Sequence, residues 1–399
     1  VKRVAFSICA ALLIFSRVKN ARADDAHYVV PTALLQTDWQ NHPQDEEGFN
    51  GFSIERLRLG VWSQPSDQIF ALAQAEFANP ESPALLDAYA RFGPFHGLRI
   101  SVGYFKSPLF ESARNELDGM MPMPELSLVT KALWPGRDTG IELHEAPQHF
   151  PLEIWLRASN GNNSPFQNDN NSYALTARVD ATAGRGRIDA SANENFGLRV
   201  GVGGEFDDSY DRAGVTATTA GDFVLYRPPT VSGNRRIVEA HVLAYFGPVR
   251  ALVEAGESSE DRAVDADGNP STPHVEEDPE LSRGASAEVA WMITGEHRLP
   301  SVWPLSRKQS PFSFDHPAIE LSARVDHVDV GRGMRDVQPN GATGGSIAAN
   351  VWLNSMFAAT LAGYIYNYER GPIEETSRTE SYLLQARLTM YLNPPPVNR

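Results

Sequence analysis

The chain has almost no cysteine, little helical periodicity and no long apolar run after its first residues. Its single cysteine, Cys9, lies in the opening stretch VKRVAFSICAALLIFSRVKNARADD. A chain without that stretch holds no disulfide, no thiolate nucleophile and no cysteine-ligated metal. Basic residues are in deficit: 35 Lys and Arg face 50 Asp and Glu, for a net charge of −15, which argues against a general nucleic-acid binder. The ten histidines show no H-E-x-x-H spacing, and no nucleophile elbow is present. GVGGEF at 201–206 lies in strand-like sequence with no following helix to hold a phosphate.

In the opening stretch, Lys2 and Arg3 precede an apolar run from Val4 to Phe15, and Ala21-Arg22-Ala23 offers an A-x-A site. This pattern predicts an export signal over 1–23, cleaved near Ala23. The apolar run is too short to span a bilayer comfortably as a helix. Removing its five basic residues, with no acid among them, takes the net charge from −15 to −20. Mean hydropathy is −0.33. Such averages miss transmembrane strands, because lipid-facing and lumen-facing residues cancel.

What the chain does have is alternation. In GLRISVGYFKSPLF, Leu98, Ile100, Val102 and Tyr104 alternate with Arg99, Ser101 and Gly103. Leu57, Leu59 and Val61 alternate with Arg56, Arg58 and Gly60, and Ile319, Leu321, Ala323 and Val325 with Glu320, Ser322, Arg324 and Asp326. A period of two marks strands with one apolar and one polar face. Sixteen such runs can be marked, joined by tight turns such as Gly247-Pro248 and by long segments at 108–136, 161–171, 208–234, 259–282 and 369–378. An even number of strands with short turns on one rim and long loops on the other predicts an all-β fold, a 16-stranded antiparallel transmembrane barrel. No linker splits the chain, so the expected organisation is signal 1–23, barrel 24–393 and a short Pro-rich tail at 394–399.

Alternation points ten arginines inward: Arg56, Arg58, Arg91, Arg99, Arg157, Arg178, Arg199, Arg250, Arg324 and Arg387. Eleven acids, from Glu76 to Asp326, share that face. The segment 108–136 is too apolar for a passive surface loop. Folding onto the inner wall would bury Leu109, Phe110, Met123, Leu128 and Leu133 and narrow the bore, placing Lys106, Arg114, Lys131 and Arg137 at a constriction beside Glu111, Glu116, Asp118 and Glu125. Charged rings at such a place set ion selectivity. The segment 257–280 holds nine acids and one arginine. Asp265, Asp267, Asn269 and Glu276 match four positions of a calcium loop, but Pro270 takes the glycine place, so a solvated loop is expected.

Several runs resemble the phosphate-selective porin O and P family: IERLRLGVW at 54–62, LLDAYARFG at 85–93, ISVGYFKSP at 100–108, ALWPGRDTGIEL at 132–143, AEVAWMITGEHR at 287–298 and AIELSARVDHVDV at 318–330. The resemblance implies a trimeric outer-membrane porin passing small anions such as phosphate, without cofactor, through a bore narrowed by an inward-folded loop. It matches Arg56 and Arg58 to basic positions of an early strand, Asp87 to the acid of a D-A-Y run, Lys106 to an F-K-x-P corner and Arg137 to a P-G-R run. With Arg99, Arg114 and Lys131 these are the candidate pore-lining residues. Three other readings stay open at this point: a general or cation-preferring porin, a closed structural or adhesive barrel, and a soluble secreted β protein.

Overall fold

The computed structural model describes residues 29–43, 50–115, 119–147, 150–184, 195–264, 275–298, 316–373 and 378–396. The expected export signal and most of the calcium-loop positions lie outside them. Sixteen strands form the wall among the described residues: β1 (Val29–Asn41), β2 (Gly51–Ser66), β3 (Ile69–Glu76), β4 (Ala84–Phe95), β5 (Leu98–Lys106), β6 (Arg137–Glu145), β7 (Leu152–Ser159), β8 (Ala174–Gly184), β9 (Phe196–Ala213), β12 (Thr230–Phe246), β13 (Val249–Val264), β14 (Val275–Met292), β15 (Ala318–Arg332), β16 (Asn340–Trp352), β17 (Phe357–Tyr368) and β18 (Glu380–Leu392). Each pairs antiparallel with its neighbours, and β1 closes on β18 with Ala33 opposite Leu392 and Asn41 opposite Leu384. The sixteen-stranded wall leaves no edge open, which is the requirement for a sheet in lipid.

The two faces are inverted relative to a soluble protein. Outward Val202, Val325 and Ile347 are 60 %, 63 % and 68 % exposed, whereas inward Arg178, Asp180 and Glu320 are buried. On β9 the outward apolar run reaches from Phe196, whose ring meets Phe246 at 5.4 Å, to Phe206; exposed Asp208 follows. Ten residue steps at about 3.3 Å on a strand tilted about 40° give a band roughly 25 Å tall, the height of the apolar belt of a membrane barrel.

Glycine is required where the wall crowds. Gly103 in β5 has φ +131°, and a Cβ there would sit 2.2 Å from the Ala88 carbonyl oxygen. Gly247, at φ +56°, turns β12 into β13 within two residues.

Two loops differ from expectation. The segment 208–234 is not one open loop: β9 and β12 continue into it, and a two-stranded ribbon, β10 (Ala217–Thr218) with β11 (Val224–Tyr226), folds between them. The acidic segment 257–280 is not wholly a solvated loop either. Strands β13 and β14 extend into it, and Glu260, Arg262 and Glu280 are buried inside the barrel. Both surprises have one cause: polar residues on strands that rise beyond the lipid band look like loop when read locally.

Candidate channel constriction

The segment between β5 and β6 folds into the barrel and carries two short helices, α1 (Glu111–Asn115) and α2 (Leu128–Leu133). Ser127 caps α2 by accepting the Thr130 amide at 3.3 Å. The apolar residues that made the segment conspicuous are buried: Leu109, Phe110, Met123, Val129 and Leu133 are all 0 % exposed. They share one cluster with Val215, Ala217, Leu225 and Tyr226 of the ribbon region, so a second inward-folded segment packs on the first.

The run MPMP at 121–124 cannot join the wall as a strand, because Pro122 and Pro124 lack amide hydrogens. Its carbonyls still need donors, and wall side chains supply them. Asn350 and Ser322 each donate to the Pro122 carbonyl at 2.8 Å, Arg387 to that of Pro124 at 2.6 Å, and Arg324 to that of Glu125 at 2.6 Å. Arg178 does the same for Pro108 at 2.7 Å. Arginines that alternation placed on the polar face therefore clamp the loop. Their side chains are almost fully buried.

The less buried inner side chains gather on the arc from β2 to β6. Arg56 and Arg58 are 18 % and 14 % exposed, Arg137 13 % and Arg114 11 %. Arg58 pairs with Glu76 at 2.9 Å and Arg137 with Asp87 at 3.3 Å, while Gln74 also donates to Asp87. Arg114 meets Glu142 at 2.7 Å and donates to the Lys106 carbonyl. Lys106 and Arg137 are direct cross-strand partners, and each cation lies 6.0 Å from the Trp134 ring. By alternation Phe105 and Asp138 are the inward pair there; the end of the strands lets both long cations turn onto the loop.

Six candidates thus converge: Arg56, Arg58, Asp87, Lys106, Arg114 and Arg137. Two do not. Arg99 is buried further toward the short turns, opposite His144. Lys131 stands at the edge of the arc: it lies 3.6 Å from Glu125, but donates to the Thr219 carbonyl at 2.9 Å and pairs with Asp222 at 3.3 Å, tying α2 to the ribbon.

The structure adds residues that alternation missed. Gln36 pairs with Arg56 and Thr37 with Ile54, leaving Glu55 as a bulge that faces Arg56 at 3.4 Å and Arg387 at 3.8 Å. The three-residue gap from Ile54 to Leu57, where two is the rule, was the available signal. Arg298 enters from the opposite rim, 2.9 Å from Glu320 and hydrogen-bonded to the Met120 carbonyl of the loop; nothing local marks it.

Glu111, Asp180 and His241 come together as three metal-ligand types. Nη2 of Arg178, however, contacts all three: it bonds Glu111, meets Asp180 at 2.7 Å and lies 3.0 Å from His241. A guanidinium occupies the place an ion would need. Glu111 is the loop's share of this network; burial pushes its carboxyl up, but Arg178, Arg199 and His241 outweigh it and hold it at about 2.

This architecture is that of a known class. The fold is porin-like. An anion-selective porin from Comamonas acidovorans superposes with a TM-score of 0.58 at 9% identity, over 92% of this chain and 100% of that one. A loop-deletion mutant of OmpT, an outer membrane protein of Vibrio cholerae, superposes with 0.56 at 11% identity, over 92% and 100%. The outer membrane channel DcaP of Acinetobacter baumannii gives 0.54 at 11%, over 94% and 99%. No family model and no curated protein matches the sequence. At such identities the likeness concerns the fold alone.

Proposed function

We propose that this chain is an outer-membrane porin: an exported, homotrimeric barrel through which small hydrophilic solutes diffuse passively, anions such as phosphate being favoured. The observation that carries the reading is the charge on the β2–β6 arc. Seven cations, Arg56, Arg58, Arg91, Arg99, Lys106, Arg114 and Arg137, stand there against five acids, Glu55, Glu76, Asp87, Asp138 and Glu142. The excess is positive in a chain whose net charge is −15. Guanidinium and ammonium groups replace part of an anion's hydration shell with charge-assisted hydrogen bonds. Because Arg56, Arg58, Lys106, Arg114 and Arg137 each already have an acid or carbonyl partner, none of them holds an anion tightly, which is what conduction needs. The reading involves no cofactor and no chemical step.

A closed structural barrel is the second reading, favoured by the burial of Arg178, Arg250, Arg324 and Arg387 across the rest of the bore. Purified protein in planar bilayers under a KCl gradient separates the two. Conductance steps, a chloride-side reversal potential and block by phosphate support the anion porin. A cation-side reversal retains the channel and removes the anion preference; absence of steps leaves the closed barrel.

A further inference from the structure

Where β13 and β14 rise above the lipid band, Glu260 and Glu280 are direct cross-strand partners, 3 % and 0 % exposed. Like charges so placed repel each other. Glu260 is compensated: Arg235 lies 3.0 Å from one oxygen, and the Val215 amide donates to the other at 2.9 Å. Glu280 is not. Among the described residues neither of its oxygens accepts a hydrogen bond of ordinary geometry, although the hydroxyls of Tyr226 and Ser282 are close by. Arg262, the next cation, is committed to Glu277 at 2.5 Å and Asp336 at 2.6 Å.

Beside Glu280 itself the polar neighbours are mostly oxygens. The buried hydroxyls of Tyr226 and Ser258 also have no partner among the described residues, and Ser258 stands opposite Ser282, one step along the same face. A Cβ on Gly214 would lie 2.6 Å from Oε2 of Glu260, 2.7 Å from Oε2 of Glu280 and 2.9 Å from Cγ1 of Val231, so the two carboxylates turn their Oε2 atoms toward each other against the Gly214 backbone. A buried carboxylate that faces a second carboxylate with only hydroxyls beside it is costly; it holds a proton or takes a cation.

We propose that Glu260 and Glu280, with the hydroxyls of Tyr226, Ser258 and Ser282, form a divalent-cation site suited to calcium. Hard oxygen donors without nitrogen or sulfur select calcium or magnesium, and calcium accepts irregular geometry with waters completing the shell. The site joins the ribbon segment, through Gly214, Val215 and Tyr226, to the barrel wall. Tyr226 shares the apolar cluster of Val129 and Leu133, so a bound cation fastens the ribbon that packs on α2. The inference is independent of the transport reading and of the calcium-loop pattern at Asp265–Glu276.

The test uses the full folded protein in detergent, with terbium as a luminescent probe excited through tyrosine, displaced by calcium, and with the melting midpoint measured with and without calcium. Terbium emission, displacement by calcium at about 1 mM or below, and a calcium-dependent rise in melting are expected. Glu280→Gln should weaken binding more than tenfold and abolish the rise, whereas Asp265→Asn with Asp267→Asn should leave both. No calcium effect on the unaltered protein, an unchanged effect in Glu280→Gln, or loss that follows Asp265 and Asp267 overturns the site. Should Glu280→Gln not fold, Tyr226→Phe removes one hydroxyl and keeps the ring; an unchanged calcium-dependent melting shift there also overturns it.

Discussion

Arg387 on the last strand donates to Glu125 of the inward-folded loop at 2.7 Å, and the same guanidinium donates to Asp38 on the first strand at 2.7 Å from both Nε and Nη2. One side chain therefore spans the seam where the barrel closes and anchors the loop that narrows it. Arg387 also donates to the Pro124 carbonyl, so the anchor holds loop backbone as well as side chain.

Removing that cation leaves Asp38 with only the Gln385 amide and Glu125 with only Lys131 at 3.6 Å. Breaking a buried pair in this way costs about 3–5 kcal/mol. Arg387→Met is expected to lower the unfolding midpoint in detergent and to raise single-channel conductance as the loop loosens. Conductance and midpoint both equal to the unaltered protein would remove the latch role.

The latch carries a pH signature. Burial pushes Glu125 up, but Arg387, Lys131 and Arg56 outweigh it, and its carboxyl is held at about 2 against an ordinary 4.5. A depressed acid stabilises the folded state fully above its ordinary value and loses that contribution as pH falls toward its folded value. Loop anchoring should therefore be constant from neutrality to about pH 5 and weaken between about pH 4.5 and 2. Glu125→Gln should flatten that part of the conductance-against-pH curve.

Charge at the arc should matter more than charge on the outer loops. Lys106→Glu inserts an acid beside Asp87 and Trp134, and the reversal potential should move toward cations. Arg335, 91 % exposed and paired with Asp278, is the control; Arg335→Glu should shift it far less. Equal shifts would place the selectivity elsewhere than the β2–β6 arc.

The outer face offers a test of the membrane reading. Ile347 sits near the middle of β16 and is 68 % exposed. In water Ile347→Arg would be nearly neutral, but facing the bilayer midplane it costs about 2–4 kcal/mol. Folding into lipid vesicles followed by denaturant titration reads the difference.

Much of this was visible in local sequence. Alternation is a local property: each strand has lipid on one side and polar groups on the other, so every second residue reports its surroundings without knowledge of its partners. That is why the sixteen strands, the inward arginines and the burial of Leu109, Phe110 and Leu133 could be read from the chain. The apolar content of 108–136 likewise demanded something to pack against.

What the tertiary structure decided are contacts between residues far apart in the chain. Whether Arg387 lines water or clamps Pro124 depends on the path of a loop more than 250 residues earlier. Arg178 looked like any wall charge until Glu111, Asp180 and His241 closed around it, and Lys131 looked like a constriction residue until the ribbon met it. Glu260 and Glu280 read as solvated loop acids because their sequence is polar; only the register of β13 on β14 set them side by side, inside. Periodicity tells each residue which face it is on, but hydrogen-bond partners and charge balance follow from register and loop packing, which no local window contains.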